Sequence, residues 1–306
     1  MTPTRNKRIG VVGIPGKWST EVLADAIEAK TGFRLVIDIT RVCVDFASMD
    51  LWFEGQNLCK LDGIAIKKIS QTYSPETLER LELLRVAEAR GVRCFSNVSS
   101  IHGLIDRLSC TIALRNAGIS MPETTITERL DDALAAVQCY GKAVLKPLFS
   151  TKARGMTVVS ADTPVAELTQ QLSDFQHRNP LLYIQRKYDL AGKDFGVVFL
   201  GGEYLCTYSR VGAKGTWNTT INSGGKYQAH TPNSDIIALA DRAQAVFGLD
   251  YTTVDVAVTS EGPVVFEVSA FGGFRGVTDG AGINAAEHYA EYIFNSLSAH
   301  SRNTTL

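Results

Sequence analysis

Six cysteines (Cys43, Cys59, Cys94, Cys110, Cys139, Cys206) fall without CxxC spacing, and five scattered histidines form no ligand pair at helical spacing. Neither residue type supports a zinc site. No apolar run approaches the roughly 20 residues that span a bilayer, and the opening MTPTRNKRIG lacks the apolar core of a signal peptide. The expectation is a reduced, cytoplasmic protein without a membrane segment. With 31 Lys+Arg against 32 Asp+Glu and a formal net charge of -1, no basic surplus steers the chain towards nucleic acid or an anionic membrane. Internal repeats and low-complexity segments are absent too. What is present is ordinary for a globular protein: 306 residues, 45% hydrophobic and 21% charged, enough for two or three lobes with good cores.

The most informative stretch is YTTVDVAVTSEGPVVFEVSAFGGFRG, residues 251 to 276. Its two β-branched runs, Val254 to Val258 and Pro263 to Val268, flank a Ser260-Glu261-Gly262 turn and predict a hairpin. A three-residue loop pairs Thr259 with Pro263 and so sets Asp255 opposite Glu267 on one face. Two like charges at that distance are unfavourable without a cation between them. A divalent metal is one solution, with Ser269 two residues on along the same face and Mg2+ as the hard, oxygen-seeking ion. The other is protonation of one carboxylate, or a salt bridge to an Arg or Lys from elsewhere.

Before this stretch the chain alternates. Strands are predicted at Ile9 to Ile14, Phe33 to Ile37, Leu51 to Phe53, Gly63 to Ile66 and Val92 to Phe95, with helices from Ser19 to Lys30 and Pro75 to Ala89. Such alternation implies an open, mostly parallel sheet with covered faces. The GIPGKWS turn is not a P-loop, because Val11 stands where glycine is needed and Trp18 where Ser or Thr would follow the lysine. One amphipathic helix is predicted from Ser99 to the Gly118 stop. Further on come strands at Ala143 to Leu145 and Leu182 to Gln185, a hairpin of Phe195 to Leu200 with Glu203 to Ser209, and a helix from Pro232 to Phe247. A last helix, Asn284 to Leu297, precedes a polar tail.

Asp in a strand followed by Glu-x-Ser and a glycine-rich turn (FEVSAFGGFRG) resembles the metal-binding hairpin of ATP-grasp enzymes, RimK-type ligases above all. That family usually reads Glu-x-Asn, so Ser269 is a departure. Asp106-Arg107 with Gly118-Ile119-Ser120-Met121-Pro122-Glu123-Thr124 resembles the opening of the family's nucleotide half, Arg standing for Lys. Lys146, ending Ala143 to Pro147, is similar to the phosphate-contacting lysine. Ser150 and Gly155 match part of the flexible loop, with Lys152, Ala153 and Arg154 in place of small residues. Gln185, Lys187 and Tyr188 fall where the family reads adenine. Gly192-Lys193-Asp194 resembles its Gly-x-Asp, with Gly196 where an arginine is usual and Arg210 where one is expected. Lys214 and Arg275 are further cations for the lost charge. Asn218, Asn222, Gly224 and Gly225 fit the substrate loop loosely.

The resemblance implies an α/β chain, α+β in its C-terminal half, with an ATP-grasp fold. Residues 1–98 would form a Rossmann-like pre-ATP-grasp domain, 99–182 the small lobe or lid, and 183–306 the large lobe with the metal and nucleotide site. ATP would bind at Lys146, Ser150, Gly155, Gln185, Lys187, Tyr188 and Asp194. Mg2+, or Mn2+ in its place, would lie on Asp255, Glu267 and Ser269, with Arg210 and Arg275 catalytic. The implied reaction activates a carboxylate as an acyl phosphate and joins it to an amine, with small molecules or peptides as substrates and no nucleic acid or membrane partner; a homodimer is compatible with it. An ATP-grasp kinase and a catalytically degenerate nucleotide-binding protein are the rival readings. The pattern is also compatible with the ATP-grasp branch associated with an HPr-kinase-like protein. Glu267→Gln is expected to abolish ATP turnover with the fold intact; unchanged turnover contradicts the metal assignment.

Overall fold

The computed structural model describes residues 7–213 and 215–303, so Lys214 lies outside the described residues. The alternating N-terminal pattern folds into β1 (Ile9–Val12), α1 (Trp18–Thr31), β2 (Val36–Ile37), β3 (Cys43–Asp45), β4 (Asp50–Phe53), β5 (Gln56–Asn57), β6 (Gly63–Ile66), α2 (Pro75–Ala89) and β7 (Arg93–Phe95). Strands β2-β1-β6-β7 form the expected parallel sheet. The segment around Leu51–Phe53 does not join it. It pairs with its sequence neighbours in a separate antiparallel sheet, β3-β4-β5, because turns this short return the chain antiparallel. Gly32, at φ 69°, closes α1, and Pro75 opens α2 behind a Ser74–Thr77 capping box.

The single helix expected after Ser99 is two, α3 (Val98–Ile105) and α4 (Arg107–Asn116). Asp106 is extended at the break, and its carboxylate accepts from the Leu108 amide at 3.1 Å. The freed amide of Arg107 donates to Leu148 O at 3.2 Å instead. The break therefore docks Arg107 on the loop that follows Lys146.

Next come β8 (Thr124–Thr127), α5 (Leu130–Tyr140), β9 (Lys142–Leu145), β10 (Thr157–Ser160), α6 (Val165–Gln176) and β11 (Leu182–Arg186). They make an antiparallel sheet in the order β10-β9-β11-β8, with α5 and α6 closing a core of Ala133, Val137, Leu145, Leu168, Leu172 and Ile184. The remainder is β12 (Lys193–Leu200), β13 (Glu203–Val211), β14 (Lys226–Ala229), α7 (Ser234–Ala245), β15 (Tyr251–Thr259), β16 (Gly262–Ser269), α8 (Phe274–Ala281) and α9 (Ala285–Asn303). Its antiparallel sheet runs β14-β13-β12-β15-β16. One face, through Val197, Phe199, Val254, Val256, Val265 and Val268, shares a core with α7 and the N-terminal sheet. The expected tail from Ser298 is helical as far as Asn303.

The β15–β16 hairpin sets Asp255 opposite Glu267 as expected, by a different route. Its loop is the two residues Ser260 and Glu261, Thr259 pairing with Gly262 and Val258 with Pro263. That register is one residue short, and Phe266 restores it as a bulge between Val265 and Glu267. The bulge also lets Val265 point into the core while Glu267, two residues on, points away.

Helix α9 packs on α1 and ties the chain's two ends together, the buried Tyr289 hydroxyl donating to Phe95 O at 2.9 Å. Tyr289→Phe is expected to lower unfolding free energy by about 1 kcal/mol in urea titration, the net worth of one buried hydrogen bond. No change would remove this contact from the account.

Candidate active site

Residues opposite one another in an antiparallel ladder share a face. Tyr208, Gly196, Asp255 and Glu267 are opposite one another in sequence across four strands, and Arg210 pairs with Asp194 two residues away on the same face. Arg210 holds Asp194 by two bonds, Nε to Oδ1 at 3.0 Å and Nη2 to Oδ2 at 2.6 Å, and reaches Asp255 Oδ2 at 3.0 Å. Burial raises the Asp255 carboxyl, Arg210 opposing and the nearby Asp194 and Glu267 charges adding to the rise. Arg210 itself is held well above its ordinary range by these two aspartates against the cost of burial.

Glu267 carries a second arginine. Arg107 Nη1 lies 3.5 Å from Glu267 Oε2, while its Nε donates to Pro147 O at 3.2 Å and its Nη2 to Ser150 Oγ at 3.3 Å. Its side chain is only 9% exposed. Arg107 thus joins the carboxylate face to the loop carrying Ser150, a role the sequence reading did not give it. The signal was the Asp106-Arg107 pair itself. The salt-bridge alternative for the paired carboxylates is therefore realised, with one arginine on each. Both remain oxygen donors facing one side, and among the described residues no group of three or more His, Cys, Asp or Glu forms a ready-made metal cage. Two carboxylates suit Mg2+, which keeps water and phosphate oxygens in its other positions. Ser269 continues the face opposite Thr253, whose buried Oγ1 has no hydrogen-bond partner.

Lys146 is 7% exposed, and its ammonium donates to Gln185 Oε1. Gln185 is more buried still, and its amide nitrogen is taken by Thr124 Oγ1 at 3.2 Å and Tyr183 Oη at 3.4 Å. Its side chain thus holds the Lys146 ammonium. Burial, with Arg107 nearby, brings Lys146 down to about 7, Glu267 opposing. Lys187 and Tyr188 stand apart from it on an open cleft of about 370 Å³, with Tyr140, Lys142 and Asp162. Tyr188 Oη lies 2.7 Å from Glu123 and 3.0 Å from Glu261, and Arg186 bridges the same two carboxylates. This network links β11 to the tip of the β15–β16 hairpin. In the loop after Lys146, Gly155 has φ 69°, and Lys152 and Ala153 also adopt the left-handed region, at 60° and 57°. The non-glycine residues there keep a conformation that usually calls for glycine. Arg275 has its guanidinium 4.9 Å from the Trp18 ring.

Residues 105–293, more than half of the chain, match the RimK-like ATP-grasp domain. The chain belongs to the RimK-like ATP-grasp family. It is 24% identical to the tetrahydromethanopterin:alpha-L-glutamate ligase of Methanosarcina acetivorans, over 95% of this chain and all of that one. Its fold is similar to the ATP-grasp ligase PsnB complexed with minimal precursor, Mg and ADP (TM-score 0.72, 16% identity, 95% of this chain and 98% of that one). It is also similar to D-alanyl-alanine synthetase A of Vibrio cholerae (TM-score 0.72, 13% identity, 96% and 98%). The expected fold class therefore stands. In this ATP-grasp chain the place expected to hold an arginine, Gly196, is filled by the ring of Tyr208. Among the described residues no helix is long and apolar enough to cross a membrane.

Because an anionic ligand favours the charged form of Lys146, ATP binding at about pH 8 is expected to take up close to one proton, and at about pH 6 almost none. Calorimetry in two buffers of different ionisation enthalpy checks this. Equal uptake at both pH values would contradict it.

Proposed function

We infer that this chain is an ATP- and Mg2+-dependent ligase that activates a carboxylate as an acyl phosphate and joins it to an amine. The observation that carries the reading is the single face on which Asp255, Glu267 and Arg210 converge, joined through Arg107 to the Lys146 and Ser150 loop. Lys146 and Arg107 would meet phosphate oxygens of ATP, with Ser150 and Gly155 in the loop covering them. Asp255 and Glu267 would hold Mg2+, Ser269 adding a neutral hydroxyl, and Mn2+ is the expected substitute. When bound there, the ion would withdraw charge from the phosphates.

Arg210 does the chain's share of charge neutralisation. An oxygen of the substrate carboxylate attacks the γ-phosphorus, and the bond to the β–γ bridging oxygen breaks as ADP leaves. The guanidinium, held by Asp194 and Asp255, faces the developing charge without reorganising. The amine nitrogen then attacks the acyl carbon and phosphate departs. Glutamate is the first amine to test, since the relative from Methanosarcina is named for it. Lys187 and Tyr188 on their open cleft are proposed for adenine, and Arg275, beside Trp18, as a second catalytic cation with Arg210. Residues 1–98, 99–182 and 183–306 are proposed as the Rossmann-like pre-ATP-grasp domain, the lid and the large lobe.

The test is calorimetric titration of ATP with and without Mg2+, on the wild type and Glu267→Gln, followed by product masses with glutamate and a pool of carboxylates. Magnesium-dependent binding that weakens in the variant, and a product joining two substrates with loss of water, are expected. A product heavier by one phosphate alone would make the chain a kinase. Absence of nucleotide binding would overturn the reading.

A further inference from the structure

Tyr208 is a bulky residue at a place cleared for it. Added Cβ atoms at Gly196 and Gly276 would fall 2.3 and 2.2 Å from its Cζ, and one at Gly280 would fall 2.6 Å from its Cβ. None of the three positions accepts a side chain while the ring is there. The phenol therefore lies across Gly196, with its hydroxyl 2.6 Å from where that Cβ would stand. Gly196 is opposite Asp255, so the hydroxyl is carried along the row towards the carboxylate face. Tyr227 packs edge-on against the ring at 5.3 Å and fixes its tilt.

The residue is 3% exposed, yet among the described residues its hydroxyl meets no hydrogen-bond partner. Unlike the Tyr251 hydroxyl, which is sealed without a partner, it keeps contact with solvent, so a ligand oxygen can reach it. The nearest carboxylates are engaged, Asp194 by two bonds to Arg210 and Asp255 by a third. Burial keeps the phenol protonated, and Asp255 adds to this against Arg210. It is thus a neutral donor beside the guanidinium assigned to phosphoryl transfer.

We propose that the Tyr208 hydroxyl donates a hydrogen bond to an oxygen of the phosphoryl group during its transfer from ATP to the substrate carboxylate. The proposal rests on the ligase reading above. The bond from the carboxylate oxygen to phosphorus forms, the phosphorus bond to the bridging oxygen breaks, and the electron pair leaves with ADP. Tyr208 keeps its proton throughout. The contact is complementary to the planar phosphoryl group and contributes little to ADP binding.

The test compares wild type with Tyr208→Phe, which keeps the ring and its packing on the three glycines. The probes are ADP with Mg2+, and the same with aluminium fluoride standing for the phosphoryl group in flight. The variant is expected to bind ADP like the wild type and to lose about ten- to a hundred-fold in affinity for the aluminium fluoride complex. Equal affinity for that complex would overturn the proposal. So would a loss as large for ADP alone, which marks a packing effect. Failure of the wild type to bind ADP at all would overturn the ligase reading itself, and this proposal with it.

Discussion

Three carboxylates, Asp194, Asp255 and Glu267, share one face of a sheet whose other face is packed with valine and phenylalanine, and among the described residues two arginines neutralise them. That imbalance is what the rest of the structure is arranged around. Partial burial makes every unpaired charge there expensive, so each arginine must be held in place by more than the ion pair. Arg210 is gripped by Asp194 from the neighbouring strand β12 and by Asp255 from β15 beyond it. Arg107 is gripped by the carbonyl of Pro147 and the hydroxyl of Ser150, which needs the helix break at Asp106 and the loop after Lys146. The helix break, the hairpin bulge and the loop conformation all follow from placing these few charges.

Much of this was legible in the sequence. The β-branched runs gave the hairpin and its paired carboxylates, because alternation and a turn signal are local properties. The pairing came out right although loop and register were each off by one residue, since the bulge at Phe266 compensates for the shorter turn. A bulge leaves no composition signal when both neighbours are apolar. The break at Asp106 was hidden for a related reason, as helical periodicity continues across it and only the capping geometry reveals the stop.

Residue roles were harder to read than elements. Gln185 read as a hinge amide available for hydrogen bonding, and its partner Lys146 is a long-range contact that no spacing encodes. Arg107 was visible as one half of a motif, but its reach to Glu267 crosses 160 residues of chain. Gly196 read as a missing arginine. In the fold it is one of three glycines that make room for Tyr208, so the loss at one position and the gain at another are a single event in space.

The most direct measurement is the anomalous difference map of crystals grown with Mn2+ and a non-hydrolysable ATP analogue. The account predicts a peak in contact with the carboxylates of both Asp255 and Glu267, with the γ-phosphate on the side of Arg210. A metal bound away from that pair, or a nucleotide whose phosphates avoid Lys146 and Arg210, would contradict it.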